Sequence, residues 1–209
     1  ALCQEFLGNE EWPSGLIETM IRVIHEIPYR VMIVDDSGSM SASDGNMLVG
    51  ARGGKQKMVT CTRWKELCAA MEFHAEFSEM ARVPTEFRML NGPTFVIGEG
   101  NDDGEAKKNF LKTLERGPSG LTPLVKHITE VAAKVRLMAP QLVAQNQKVS
   151  LIIFTDGKAS DGDVLRALKL LIGLPVWLVV RLCTDDDEVG DYWSQIDNDL
   201  ELPMDVLDD

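Results

Sequence analysis

Arg30-Val31-Met32-Ile33-Val34-Asp35-Asp36-Ser37-Gly38-Ser39-Met40 is the stretch whose reading decides the fold. Its first half is a short apolar run rich in β-branched residues, with Pro28 before it and a polar turn after it. That pattern predicts a buried strand, parallel and central. Asp35, Ser37 and Ser39 follow at an Asp-x-Ser-x-Ser spacing. In an open α/β sheet, ligands bind outside the carboxyl ends of the strands. This strand therefore delivers one carboxylate and two hydroxyls, all hard oxygens, to the expected place. Hard oxygens suit a hard divalent cation such as magnesium, which takes about six ligands at about 2.0–2.1 Å and keeps several waters. The same residues also read as a polar turn that caps the next segment. The stretch alone does not separate the two readings.

Two later segments bear on the choice. Asp156 closes a second apolar strand, Val149-Ser150-Leu151-Ile152-Ile153-Phe154-Thr155, and Gly157 follows it. Thr122 lies in Gly117-Pro118-Ser119-Gly120-Leu121-Thr122-Pro123-Leu124, a Gly-rich loop that opens a helix. Thr122 before Pro123 also has the position of a plain helix N-cap. Taken together and in order, Asp-x-Ser-x-Ser, the loop Thr-Pro-Leu and strand-Thr-Asp-Gly resemble the von Willebrand factor A domain. The matching residues are those of that family's metal-ion-dependent adhesion site: Asp35, Ser37, Ser39, Thr122 and Asp156.

The resemblance covers nearly the whole chain and implies an α/β fold. Its sheet would be doubly wound, mostly parallel and six-stranded, in the order 3-2-1-4-5-6. One edge strand would be antiparallel, and helices would cover both faces. It implies a magnesium or manganese ion over the end of the first strand, with Ser37 and Ser39 as direct ligands. Thr122 would ligate directly in one conformational state, and Asp35 and Asp156 directly or through water. Mostly neutral hydroxyls would leave the ion electrophilic, with one position open to an Asp or Glu carboxylate of a partner protein. The implied function is metal-dependent protein binding without catalysis.

An enzyme is the rival class. Aspartyl phosphotransferases of the haloacid-dehalogenase type also place Asp at the end of a first strand, but they use Asp-x-Asp. Ser37 stands where the second Asp, the general acid, is needed. No Gly-x-Ser-x-Gly elbow and no phosphate-binding glycine motif occurs in the sequence. None of His25, His74 and His127 falls at a predicted strand end, which weakens a Ser-His-Asp arrangement. A metal-dependent hydrolase or phosphatase, and a structural module with a vestigial metal site, remain the alternatives.

The strand–helix order along the chain agrees with the doubly wound expectation. Leu16, Met20, Val23 and Ile27 predict an N-terminal helix that packs on the sheet as an extension over residues 1–28, before a domain over 29–209. Asn46-Met47-Leu48-Val49 and Lys57-Met58-Val59-Thr60 flank a Gly-rich tip and suggest a hairpin insert within 44–60; a plain surface loop fits as well. The insert carries Arg52, Lys55 and Lys57, placed to meet an acidic partner beside the metal. A helix over Thr62–Ala81 has the stripe Trp64, Leu67, Met71 and Ala75. Asn91-Gly92 between Thr85–Leu90 and Pro93–Gly98 predicts a two-residue type I′ hairpin. Further helices are expected over Ala106–Arg116, from Leu124 to before Pro140, over Val164–Ile172 with Asp163 as cap, and around Tyr192, Trp193, Ile196 and Leu200. Strands are expected at Leu174–Leu182 and Pro203–Leu207.

With 209 residues and 44% hydrophobic content, the chain suits one domain with a large core. No apolar run reaches the length of a membrane span. No signal peptide is visible at Ala1-Leu2-Cys3-Gln4-Glu5. The start without Met and the end at Asp208-Asp209 suggest a domain cut from something longer. Cys3, Cys61, Cys68 and Cys183 form neither a CxxC nor a disulfide framework, so an intracellular compartment is expected. The formal charge is −12. Eleven of the 33 acidic residues, and no Lys or Arg, lie from Thr184 onward; the remainder holds 22 acidic and 21 basic residues. This distribution argues against nucleic-acid binding. An acidic partner would escape repulsion if that tail lay on the far side of the domain.

Overall fold

The structure is a computed structural model, and it describes residues 8, 12–50, 56–100 and 104–207. Tyr29–Val34 (β1) is the central strand. It pairs in parallel with β4 (Thr85–Met89) on one side and β6 (Val149–Thr155) on the other. Strands β7 (Val176–Leu182) and β8 (Met204–Leu207) extend the sheet in parallel, while β5 (Thr94–Ile97) runs antiparallel to β4 at the opposite edge. The sheet order is β5-β4-β1-β6-β7-β8. Strands β2 (Gly45–Val49) and β3 (Lys57–Cys61) pair only with each other, as the expected hairpin. The order reverses between β1 and β6, so the switch point lies at the carboxyl ends of those two strands.

Alternation along β1 builds both halves of the core. Val31 and Ile33 join Leu151, Ile153, Leu178 and Val180 under α4 (Leu124–Ala144). Trp193 of α6 (Asp187–Asp199) is fully buried in that half. Met32 and Val34 face the other way, with Phe87, Phe154 and the Trp64, Leu67 and Met71 stripe of α2 (Arg63–Ala81). Phe110 of α3 (Glu105–Leu114) closes this half. Burying each such large side chain contributes about 1.5–3 kcal/mol, so a strand with both faces covered is the natural centre of the sheet.

Four expectations change. Helix α4 does not stop before Pro140 but carries the proline in its interior and continues to Ala144, with Leu142 buried in the core. The N-terminal helix, α1 (Ser14–Glu26), turns Ile17, Met20, Ile21 and Ile24 toward Phe73 and Phe77 of α2, and leaves Leu16 exposed. These four residues are an i, i+3, i+4, i+7 stripe of their own, and the neighbouring helix offered two aromatic rings to cover. Asn91-Gly92 is not a two-residue turn. The last β4–β5 pair is Arg88 with Thr94, and neither Asn91 nor Gly92 has the positive φ of a type I′ turn. Asn91 is instead drawn into the contacts described below. The helix expected to reach Ile172 divides into α5 (Val164–Leu168) and a 3-10 turn, Lys169–Leu171.

One buried polar network was not foreseen. Glu86, in the middle of β4 and 2% exposed, accepts from Tyr29 Oη at 2.6 Å and from Arg88 at 2.8 Å, and is paired with Lys134 of α4. Burial pushes its carboxyl up, but Lys134 and Tyr29 outweigh it and hold it below the usual range. Among the described residues, no helix is long and apolar enough to cross a membrane.

Candidate metal centre

Parallel pairing of β1 with β6 sets Val34 beside Phe154, so the residues that follow each strand emerge together on one rim. The Asp35 N–H continues the ladder to Phe154 O at 3.0 Å. Its carboxylate is fully buried. Oδ1 accepts the Ser37 N–H at 2.9 Å and Oδ2 accepts the Thr155 hydroxyl at 2.7 Å. Among the described residues it has hydrogen-bond donors but no ion-pair partner. Burial raises its carboxyl above the ordinary range, the Ser37 and Thr155 bonds oppose that, and the neighbouring Asp156 charge adds to it. The rim of the sheet therefore holds a buried carboxylate satisfied by hydrogen bonds alone among the described residues.

After Asp36 the chain turns through a 3-10 helix, Gly38–Ser41, pinned by the fully buried Met40. This turn aims two hydroxyls at one spot. Ser37 Oγ lies 3.0 Å from Ser39 Oγ, and Ser39 Oγ donates to Asp156 Oδ1 at 2.8 Å. Adjacent ligands of an octahedral ion with bonds of about 2.0–2.1 Å lie about 2.8–3.0 Å apart. Both separations fall within the range of octahedron edges, and the donor set fits a hard divalent cation. Among the described residues, no three His, Cys, Asp or Glu side chains gather. The cluster consists of two carboxylates and hydroxyls.

The loop of Thr122 is tied to the same rim. Gly38 N–H donates to Gly120 O at 3.2 Å, and Ser119 N–H to Asp36 O at 2.6 Å. Gly120 sits at φ +96, and a Cβ there would come within 2.5 Å of Asn91 Oδ1, so the loop requires glycine at this point. Thr122 and Ser160 exchange two bonds, Ser160 N–H to Thr122 O at 2.9 Å and Thr122 N–H to Ser160 Oγ at 3.0 Å. The N-cap role is filled by another residue. Asp161 accepts the Val125 and Lys126 N–H groups at 3.0 and 2.9 Å. The Thr122 hydroxyl has no hydrogen-bond partner among the described residues and remains open to a ligand.

Several residues of the site were not anticipated. Asn91 gives its N–H and its side-chain amide to Asp36 Oδ1, at 2.8 and 3.1 Å, and the same amide reaches Leu121 O at 2.7 Å. Arg63 donates to Asp156 Oδ2 at 2.9 Å and also grips Asp44. The only signal for Asn91 was its turn-forming chemistry, and Arg63 stood out in no pattern.

The basic insert fares differently from the oxygen cluster. Arg52 and Lys55 lie outside the described residues. Lys57 is exposed and pairs in register with Val49. Between the hairpin and the end of β7 lies a cleft of about 420 Å³, lined by Asp44, Asn46, Met58, Glu66, Thr184 and Asp185. The acidic segment thus begins on the rim beside the site and not on the far side. Parallel pairing requires this, because β7 ends on the same rim as β1 and β6.

No family model matches the sequence, and no curated protein matches it. Among solved structures it is similar to a von Willebrand factor type A protein from Catenulispora acidiphila, at 15% identity and a TM-score of 0.52. That alignment covers 88% of this chain but only 39% of the other. A conserved hypothetical protein, BatB from Bacteroides thetaiotaomicron, aligns at 15% identity and TM-score 0.49, over 87% of this chain and 90% of that one. An aerotolerance-related membrane protein from Bacteroides fragilis aligns at 18% and 0.47, over 74% and 66%. At such identities the likeness bears on the fold alone, and only the first score exceeds 0.5. It agrees with the observed sheet order and antiparallel edge: the architecture is that of a von Willebrand factor A domain.

Proposed function

We propose that the chain is a divalent-cation-dependent protein-binding module. One observation carries the reading: the Ser37, Ser39 and Asp156 oxygens converge at 3.0 and 2.8 Å beside a buried Asp35 carboxylate that has no ion-pair partner among the described residues. Ser37 and Ser39 would hold magnesium or manganese directly, Thr122 in one conformational state, and Asp35 and Asp156 directly or through water. A bound ion supplies an electrophilic centre with a position open to an Asp or Glu carboxylate of a partner. The chain's own residues orient that centre. Thr155 and the Ser37 N–H fix Asp35, the 3-10 turn aims the serines, and Asp161 relieves Thr122 of capping. Asp185 in the hairpin cleft would repel an acidic partner, so such a partner has reason to arrive over the Leu121 side. Leu121 is 71% exposed there. The hydrolase alternative has weaker support, since no histidine hydrogen-bonds to Ser37 or Ser39 among the described residues.

Calorimetric titration tests the reading. Magnesium or manganese should bind the native domain, calcium more weakly because it prefers more ligands at longer distance, and Asp35→Ala should not bind. Unchanged affinity in Asp35→Ala would remove the assignment. Partner binding should then be lost with chelator and with Asp156→Ala alike.

A further inference from the structure

We propose that Arg63 is a positioning residue for the oxygen cluster. It supplies Asp156 with positive charge when no divalent ion is present, and through Asp44 it couples the cluster to the β2–β3 hairpin. The inference rests on the metal reading above. Arg63 is the first residue of α2, and its backbone N–H is held by Ala42 O at 3.0 Å, so the side chain starts from a fixed point. Nε and one terminal nitrogen donate to the two oxygens of Asp44 at 2.7 and 2.5 Å, the bidentate fork that makes strong, oriented pairs. The other terminal nitrogen donates to Asp156 Oδ2 at 2.9 Å. Asp156 Oδ1 meanwhile takes the Ser39 hydroxyl. A single carboxylate is thus shared, with a guanidinium on one oxygen and the cation-facing serine on the other. The Asp156 side chain is 1% exposed and that of Arg63 14%, so solvent screens this contact little.

Two cations drawing on one buried carboxylate oppose each other. A divalent ion at Oδ1 weakens the hold of Arg63 on Oδ2, and Arg63 weakens the ion by the same factor, since such coupling is reciprocal. The consequence reaches the hairpin because Asp44 directly precedes β2. The hairpin is otherwise fastened at its root by Asn46 N–H to Glu66 at 2.8 Å, and the Gly45 backbone lies so close to α2 that a Cβ there would come within 3.0 Å of Arg63 N. Two strands alone are marginal in water, and these expose Leu48, Val49, Met58 and Val59. The grip of Arg63 therefore governs how firmly this apolar ribbon stands beside the cation.

Magnesium calorimetry and amide hydrogen exchange test the coupling in native protein, Arg63→Met and Asp44→Asn. Arg63→Met should bind magnesium about tenfold more tightly. Asp44→Asn should bind it no more tightly than native protein, because Arg63 keeps its charge on Asp156. Both variants should exchange faster over 44–49 and 57–61 without metal, and saturating magnesium should speed the same amides in native protein. Native protein that binds magnesium while Arg63→Met binds it equally or less tightly overturns the coupling alone. Absence of binding to native protein overturns the metal reading and the coupling with it. Should Arg63→Met not fold, Arg63→Lys keeps the charge and loses the fork. Near-native affinity with faster hairpin exchange is then expected, and unchanged exchange refutes the link to Asp44.

Discussion

Asn91 holds Asp36 by two donors to one oxygen, its backbone N–H at 2.8 Å and its side-chain amide at 3.1 Å. The same amide reaches Leu121 O, and Asp36 O receives Ser119 N–H. The β4–β5 connection, the end of β1 and the Thr122 loop therefore meet in one small web. Burial lifts the Asp36 carboxyl above its ordinary range, and the Asn91 bonds oppose this.

Asn91→Ala should accordingly cost about 1–2 kcal/mol, because it leaves a buried carboxylate oxygen short of donors. Denaturant unfolding measures the loss. Hydrogen exchange should rise over 117–122, and a variant with native stability would mean that water replaces the amide without penalty.

Asp35→Asn should separate stability from binding. The amide keeps an acceptor for Ser37 N–H and offers a donor to Thr155 Oγ1, while the uncompensated buried charge disappears. The metal-free variant should gain about 1 kcal/mol, since such a charge is costly to keep. A higher melting temperature together with lost magnesium binding is the expected pair. A lower melting temperature would mean that the charge is stabilised by something else in the fold.

Asp161→Ala removes the carboxylate that caps α4. The expected loss is about 1 kcal/mol, the usual worth of an N-cap. Thr122 is the nearest replacement, and if its hydroxyl turns to the helix, magnesium affinity should fall in the same variant. Unchanged affinity and stability would show that the first turn of α4 is satisfied by solvent.

His74 gives a pH dependence of known sign. Burial, with the Arg30 and Arg181 charges, lowers it from 6.5 to about 4. Between those values the unfolded chain takes up a proton that the folded chain refuses. Stability should fall as pH drops from about 6.5 to about 4 and lose nothing further from this group below that. The full effect is at most about 3 kcal/mol, reduced because the ring keeps partial exposure. His74→Leu should flatten the difference between unfolding free energies at pH 7.5 and 4.5, and an equal slope would exonerate the histidine.

The parts of this molecule legible in its sequence are those written in local pattern. The buried run of β1, the stripe Trp64–Leu67–Met71–Ala75 and the strand before Asp156 each announce themselves by periodicity, and the sheet follows from them. Asp35, Ser37 and Ser39 were legible because they lie on one short turn at a strand end. What escaped is settled by pairings across the chain. Arg63 reaches Asp156 over 93 positions, and Asn91 reaches Asp36 over 55. At Asn91 the turn chemistry and the donor capacity serve different structures, and the long-range donor role prevails. Leu16 and Ile17 exchanged roles because a helix apolar on two sides is oriented by its neighbour, here Phe73 and Phe77.

The bond from Thr155 to Asp35 joins residues 120 positions apart. It closes only when β6 has paired with β1, so a chain without that pairing holds no assembled oxygen cluster. A cation that needs the cluster can recognise only a chain in which β1 and β6 already lie side by side. It then acts on the exit from the native state and not on the approach to it. Magnesium should slow the unfolding limb of a chevron and leave the refolding limb where it was. With such an ion bound, the turn after β1 would set how long the native chain lasts more than how quickly it forms.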